Sequence, residues 1–161
     1  MATEQEDTRI DDDEMVTWWG LVIEGYVATQ EQLMGEIAER FDLAPASFDI
    51  LLRLLRSPEY RLPMTRLATE AALSSGGFTK VADRLVAAGL IRREPSDSDR
   101  RVTYATLTDY GLGITDEARQ ACADILRRIV LKPLGSDRSA ALADAMRALR
   151  AANGPDADND G

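Results

Sequence analysis

Apolar residues recur along this chain with two different periods, and the switch between them marks out its elements. From about residue 13 to 40, Met15, Trp19, Val22, Tyr26, Leu33 and Ile37 trace one side of a long helix that no proline interrupts. Residues 46–56 predict a second helix, apolar on more than one side through Phe48, Leu51, Leu52, Leu54 and Leu55, and therefore buried. Residues 62–73 predict a short helix capped at Thr65 or just before it, followed by a tight turn. Next, Phe78, Val81, Ala82, Leu85, Val86 and Leu90 return at three- and four-residue spacing. Ser74 or Ser75 is placed to cap that helix, and Gly89 to end it in the left-handed conformation. The period then shortens. Residues 90–93 and 100–107 are β-branched, aromatic and alternating around a turn-rich 94–99, which predicts a hairpin with a long tip. Helical spacing resumes at about 109–131 through Ile114, Ala118, Ala121, Ile125, Ile129 and Val130, with Pro133 as the expected stop. A last helix, about 136–150, carries Leu142, Ala145, Met146 and Leu149.

Two short helices followed by a hairpin make a winged helix-turn-helix. The predicted class is mainly α with a small β-hairpin wing, flanked by dimerisation helices. The expected organisation is an acidic disordered arm at 1–12, N-terminal dimerisation or pocket helices at 13–60, and the winged helix-turn-helix at 61–110. C-terminal dimerisation helices follow at 111–152, then a disordered tail at 153–161. Opposite the apolar stripe of the probe helix stand Ser75, Gly76, Thr79, Lys80, Asp83 and Arg84. Small residues, hydroxyls and an amine in the first turn let the backbone approach a duplex while Ser75, Thr79 and Lys80 reach base edges or phosphates. Arg100 and Arg101 sit where the hairpin tip ends, and an arginine there suits the negative potential of a narrow minor groove. Asp99 is expected to pair with a neighbouring arginine and fix the aim of the tip. The candidate DNA contacts are Thr65, Arg66, Ser74, Ser75, Gly76, Gly77, Thr79, Lys80, Arg84, Asp99, Arg100 and Arg101.

The run LPMTRLATEAALSSGGFTKVADRLVAAGLI, the triplet Asp99-Arg100-Arg101, the pair Leu107-Thr108 and Gly111 soon after resemble the multiple-antibiotic-resistance regulator (MarR) family. Around them the resemblance extends more loosely over about residues 12–150. It implies a homodimeric repressor or activator whose subunits each place a recognition helix, here 74–84, in the major groove and a wing arginine in the minor groove. The family's wing aspartate and arginine fall on Asp99 and Arg101. It also implies a cleft between the long helices and the reading head that takes aromatic or phenolic effectors.

Charge bears on this reading. The net charge is −9, unpromising for a partner that is itself a polyanion. Yet residues 1–60 hold four basic against fourteen acidic side chains, residues 61–110 eight against six, and residues 111–161 seven against eight. The acidity lies outside the reading head, much of it on Glu4, Glu6, Asp7, Asp11, Asp12, Asp13 and Glu14. Affinity for phosphate follows local cations and counterion release, so such a chain can bind DNA with strong salt dependence.

Long helices that outflank a small reading head need their stripes covered, and a second copy is the simplest cover. Met15, Ile129, Leu131, Leu134, Leu142, Met146 and Leu149 are the interface candidates. Two-fold symmetry would space the recognition helices about one turn of DNA apart, roughly 34 Å, to match an inverted-repeat operator in double-stranded DNA. Trp18, Trp19 and Tyr26 have two readings, core or ligand pocket. Adjacent Trp18 and Trp19 cannot share one helix face, so one of them can look into a cleft for a small aromatic effector. Cys122, among Ala121, Ala123 and Ile125, reads as a small core residue rather than a redox sensor.

Enzymatic chemistry has little to stand on: the chain has no histidine, no phosphate-cradling glycine loop and one cysteine without an imidazole partner. Neither a metal nor a cofactor is expected. No apolar run is long enough for a bilayer and no secretory signal is evident, which predicts a cytoplasmic protein without membrane contact. The competing function is a protein-interaction winged helix, an anti-regulator whose acidic surface mimics nucleic acid.

Overall fold

The computed structural model describes residues 10–71 and 73–154, and of Ser75 only the backbone. The expected acidic arm up to residue 9 and the tail from residue 155 lie outside the described residues. The chain divides into two compact units, Met1–Gln32 and Leu33–Gly161.

In the first unit the described chain is essentially helical. Helix α1 (Asp12–Phe41) starts one residue earlier than the sequence pattern places it. Asp12, Asp13 and Glu14 fill its first turn, where the positive end of the helix dipole favours carboxylates, so the end of the acidic arm is drawn into the helix. The expected stripe is on this helix but uncovered: Met15, Trp19, Val22 and Tyr26 are all exposed, as are Val16, Trp18, Leu21, Ile23 and Val27.

The second unit holds the core. Leu33 and Ile37, near the end of α1, are buried in it. Helix α2 (Pro45–Leu55) opens with proline in its first turn, where a missing N–H costs nothing, and buries Phe48, Ile50, Leu51 and Leu54. Beyond a turn with left-handed Glu59 and Tyr60, strand β1 (Arg61–Pro63) leads into α3 (Met64–Glu70). Helix α4 (Ser75–Ala87) follows, and then β2 (Ile91–Pro95) and β3 (Thr103–Leu107) form the predicted hairpin. Phe78, Ala82, Leu85 and Leu90 pack the α4 stripe against Leu67, Ile91, Ala105 and Leu107. Helix α5 (Asp109–Leu126) adds Ala118, Ala121 and Ile125 to the same core.

Three sequence expectations need correction. The wing is a three-stranded antiparallel sheet in the order β1-β3-β2, not a bare hairpin. Leu62 faces Ala105 across β1 and β3, and Arg93 faces Ala105 across β2 and β3. A three-residue strand is too short to show alternation, and it ends on Pro63, which only an edge position tolerates. Thr65 is not the cap of α3; the helix begins at Met64 behind Pro63 without a side-chain cap. Pro133 does not stop the fifth helix. The chain widens into a π turn at Arg127–Leu131, where the Lys132 N–H donates to the Arg127 carbonyl five residues back, and runs on into α6 (Lys132–Asn153). That widening accommodates a ring that would clash with a carbonyl four residues earlier in a regular helix. The break comes at Gly135, with φ 76° and ψ 170°, a conformation reserved for glycine. No residue of α6 is buried.

Candidate nucleic-acid interface

The start of α4 is set by Ser74. Its Oγ accepts the Gly77 N–H at 3.1 Å, and its carbonyl accepts the Phe78 N–H at 2.8 Å, which settles the choice of cap between the two serines. A Cβ on Gly77 would come within 3.0 Å of the Ser74 Oγ, whereas one on Gly76 would meet nothing within 4 Å. The end is set by Gly89, with φ 71°, as the sequence predicted. Between these limits Thr79, Lys80, Asp83 and Arg84 are exposed. Lys80 and Arg84 are one helical turn apart, and among the described residues neither enters an ion pair. Asp83 is answered by Arg93 of β2, whose Nη2 lies 2.6 Å from its Oδ1. That contact fastens the wing to α4 and neutralises the one carboxylate on this face. Both charges are plain in the sequence, but only the fold brings residues ten apart together.

On α3, Thr65 and Arg66 are exposed, but Arg66 already pairs with Glu70 at 2.6 Å. Glu70 also lies 3.7 Å from Arg53. Thr65, the other α3 candidate, is neutral, and its carbonyl accepts the Thr69 hydroxyl at 3.1 Å.

The wing tip spans residues 96–102. Ser96 N–H donates to the Val102 carbonyl and Val102 N–H to the Asp99 carbonyl, each at 2.9 Å, while the Ser96 Oγ accepts the amides of Ser98 and Asp99 at 3.3 Å. Asp99 aims the tip differently from the expectation. Its carboxylate accepts the backbone N–H of Arg101 at 3.0 Å, so the main chain is fixed and the guanidinium is not engaged. Arg100 and Arg101 are exposed and, among the described residues, unpaired. At the base of the wing, Arg92 donates to Glu94 at 2.5 Å and to the Leu107 carbonyl at 3.3 Å, and Thr106 donates to Glu94 at 2.8 Å. The Arg92 guanidinium, followed by the Thr106 hydroxyl, holds the Glu94 carboxyl below the usual glutamate range. Arg61 of β1 lies 4.9 Å from the centroid of the Tyr104 ring. The reading face thus carries Lys80, Arg84, Arg100 and Arg101 as uncommitted cations, while Arg66, Arg92 and Arg93 are paired with carboxylates.

A model of the MarR family matches residues 41–102, which contain α2, α3, α4 and β2 and reach through the wing tip. The HTH-type transcriptional regulator MhqR of Bacillus subtilis is 31% identical over 84 residues, or 52% of this chain. The chain spans 57% of the length of that relative. The multiple antibiotic resistance protein MarR of Escherichia coli is 27% identical over 113 residues, 70% of this chain and 77% of that one. Among solved structures, Sco3205, a MarR family transcriptional regulator from Streptomyces coelicolor in complex with DNA, superposes with a TM-score of 0.78 at 26% identity. It covers 90% of this chain and 91% of its own. AbsC of the same organism, also a MarR family transcriptional regulator, gives 0.75 at 27% identity over 86% and 93%. Over residues 41–102, and along most of its length in the two solved structures, the chain is similar to MarR-family transcription regulators.

Members of the MarR family are transcription regulators, not enzymes. Trp18, Trp19, Tyr26 and Cys122 are the remaining sequence candidates. Trp18, Trp19 and Tyr26 are 45%, 50% and 64% exposed on α1. Cys122 is half-buried, and burial pushes its thiol up against an opposing pull from the Arg56 charge, which disfavours the reactive thiolate. Among the described residues no group of side chains could hold a metal ion, and no helix is long and apolar enough to cross a membrane.

Proposed function

We propose that this chain is a dimeric, sequence-specific DNA-binding transcription regulator of the MarR type, a repressor released by a small ligand and working in the cytoplasm. The observation that carries the reading is the set of uncommitted cations Lys80, Arg84, Arg100 and Arg101 on one helix and one wing tip, in a chain whose net charge is −9. Lys80 and Arg84 would meet phosphates and base edges in the major groove, and Arg101 the minor groove. Sco3205, solved in complex with DNA, lends the same use of the fold by analogy.

Dimerisation follows from what is left uncovered. In the first unit Met15, Trp18, Trp19, Val22 and Tyr26 face solvent, and in the second Leu131, Leu142, Met146 and Leu149 do so. Exposed apolar surface on this scale marks an interface, and a second copy would cover both sets. Two-fold symmetry then presents two reading heads to an inverted repeat. A small aromatic effector stacking on Trp18, Trp19 or Tyr26 would release DNA by favouring a spacing of heads that no longer fits. A coupling of about 1–3 kcal/mol corresponds to roughly 5- to 150-fold weaker binding.

Selection of bound sequences from random duplex DNA tests the whole reading: half-sites about ten base pairs apart are expected. Arg101→Ala should abolish the specific shift in a gel assay. No shift at any salt concentration, with partner proteins captured instead, would establish an interaction module that does not read DNA.

A further inference from the structure

Between the last turn of α1 and the middle of α5 lies an open groove of about 450 Å³, lined by Arg40, Phe41, Glu117, Gln120, Ala121 and Asp124, of which Arg40, Glu117, Gln120 and Asp124 are exposed. Small-molecule sites range over roughly 300–1,000 Å³. Glu117, Gln120, Ala121 and Asp124 recur at helical spacing, so one face of α5 supplies a wall, with buried Ala121 as its floor. Opposite, the Arg40 guanidinium stands 5.5 Å from the centroid of the Phe41 ring. Its charge is not cancelled: among the described residues neither Arg40 nor Glu117 forms an ion pair, and Asp124 is engaged by Arg127 at 2.6 Å. By contrast Arg119, the arginine of α5, pairs with Asp116 of its own helix at 2.8 Å. An unpaired guanidinium and an unpaired carboxylate therefore border one groove without closing on each other.

That bipolar lining selects for a ligand carrying both charges. We infer that the groove binds a small zwitterion of the amino-acid type, with its carboxylate on the Arg40 fork, its ammonium on Glu117 and the Gln120 amide oxygen, and its apolar body against Phe41 and Ala121. The planar guanidinium matches a carboxylate in two parallel hydrogen bonds, and charge-assisted bonds of this kind are among the strongest available. None of Trp18, Trp19 and Tyr26 lines this groove.

Its output runs along α5. At the start of that helix the Thr108 hydroxyl donates to the Gly89 carbonyl at 2.6 Å, and Gly111 packs against the Leu90 backbone, so α5 is fastened to the end of α4. A ligand that fixes α5 against the end of α1 biases the orientation of α4; this limb rests on the DNA-binding reading above.

Isothermal titration of the full chain with L-valine, L-leucine, L-methionine and L-phenylalanine, followed by the matched acid and amine of the tightest binder, tests the site. The zwitterion is expected to bind at least about tenfold more tightly than either single-charge analogue. Arg40→Met should erase the preference over the amine, and Glu117→Gln the preference over the acid. Both side chains are exposed and outside the core, so both variants should fold. Binding of none of the four, or equal binding of acid, amine and zwitterion, overturns the assignment. A zwitterion that binds, with both variants behaving as expected, but leaves the affinity for selected DNA unchanged overturns only the regulatory limb. Absence of any DNA binding before the ligand is added overturns the reading that limb rests on, while the titration still decides the site.

Discussion

A Cβ placed on Gly111 would lie 1.9 Å from the carbonyl oxygen of Leu90 and 2.7 Å from its carbonyl carbon. The neighbour is backbone at the end of α4, held by the Thr108 N–H at 3.1 Å and by the turn at Gly89, so it cannot swing aside. Gly111→Ala should therefore destabilise the fold by about 3 kcal/mol, the upper range for overpacking a core. Gly113, two residues on in the same helix, has nothing within 4 Å of its would-be Cβ. Gly113→Ala should leave stability unchanged or raise it by up to about 1 kcal/mol. Urea unfolding of the two variants checks the contrast; equal midpoints would mean that the close approach of α5 to α4 is absent in solution.

At the start of α4, folding and binding should respond in opposite directions. Gly76 is exposed, within a helix and free of neighbours, so alanine there should stabilise the fold by about 0.5–1 kcal/mol. If the missing side chain serves close approach to a duplex, the same substitution should weaken DNA binding. Ser74→Ala should cost about 1 kcal/mol by removing the cap of Gly77. Thermal melts alongside DNA titrations separate the roles: a Gly76→Ala variant that binds DNA as well as the parent chain would show that the glycine is not there for the duplex.

The limits of α4 were legible because caps are local: Ser74, Gly77 and Gly89 lie within hydrogen-bond reach along the chain. The core of α2 and the hairpin were legible for a similar reason, since each repeats its period over several residues. What the sequence hid depends on tertiary placement. β1 is three residues long and exists only through pairing with β3. The effect of Pro133 was misread because it depends on a π turn one helical turn earlier. On the reading face, the residue types were recognisable one by one. Which cations stay uncommitted was not, because Arg66 is taken by Glu70 and Asp83 by Arg93 only once the helices and strands are in place.

The Asp83–Arg93 pair yields a prediction with two signs. Arg93→Ala leaves a bare carboxylate on the face of α4 that carries Lys80 and Arg84, and DNA affinity should fall at every sequence. Asp83→Asn removes that carboxylate and releases Arg93, so affinity for random duplex should rise and discrimination shrink. Both partners are partly exposed, 59% for Asp83 and 35% for Arg93, so either change should alter stability by less than about 1 kcal/mol. Binding isotherms on specific and random duplexes, with the double variant closing the cycle, make the check; additive effects would show that the pair does not act as a unit.

With no histidine in the chain, the acid side of the stability profile is set by carboxylates, Glu94 among them. Its folded-state pKa is depressed, chiefly by the Arg92 guanidinium and then by the Thr106 hydroxyl. A depressed carboxylate binds its proton less tightly in the folded chain than in the unfolded one. Its contribution is therefore complete above the ordinary glutamate range and is lost as pH falls through that range to the lower folded value. Arg92→Met removes the larger cause while keeping the stem that covers the sheet, so the Glu94 titration should move back up and the wing should loosen at a higher pH. Carbon-detected NMR titration of the Glu94 side chain, with amide exchange on Thr103–Leu107 as the structural readout, tests this. An unshifted Glu94 titration in the variant would mean that the hydrogen bond to Thr106, and not the arginine, holds the carboxylate charged.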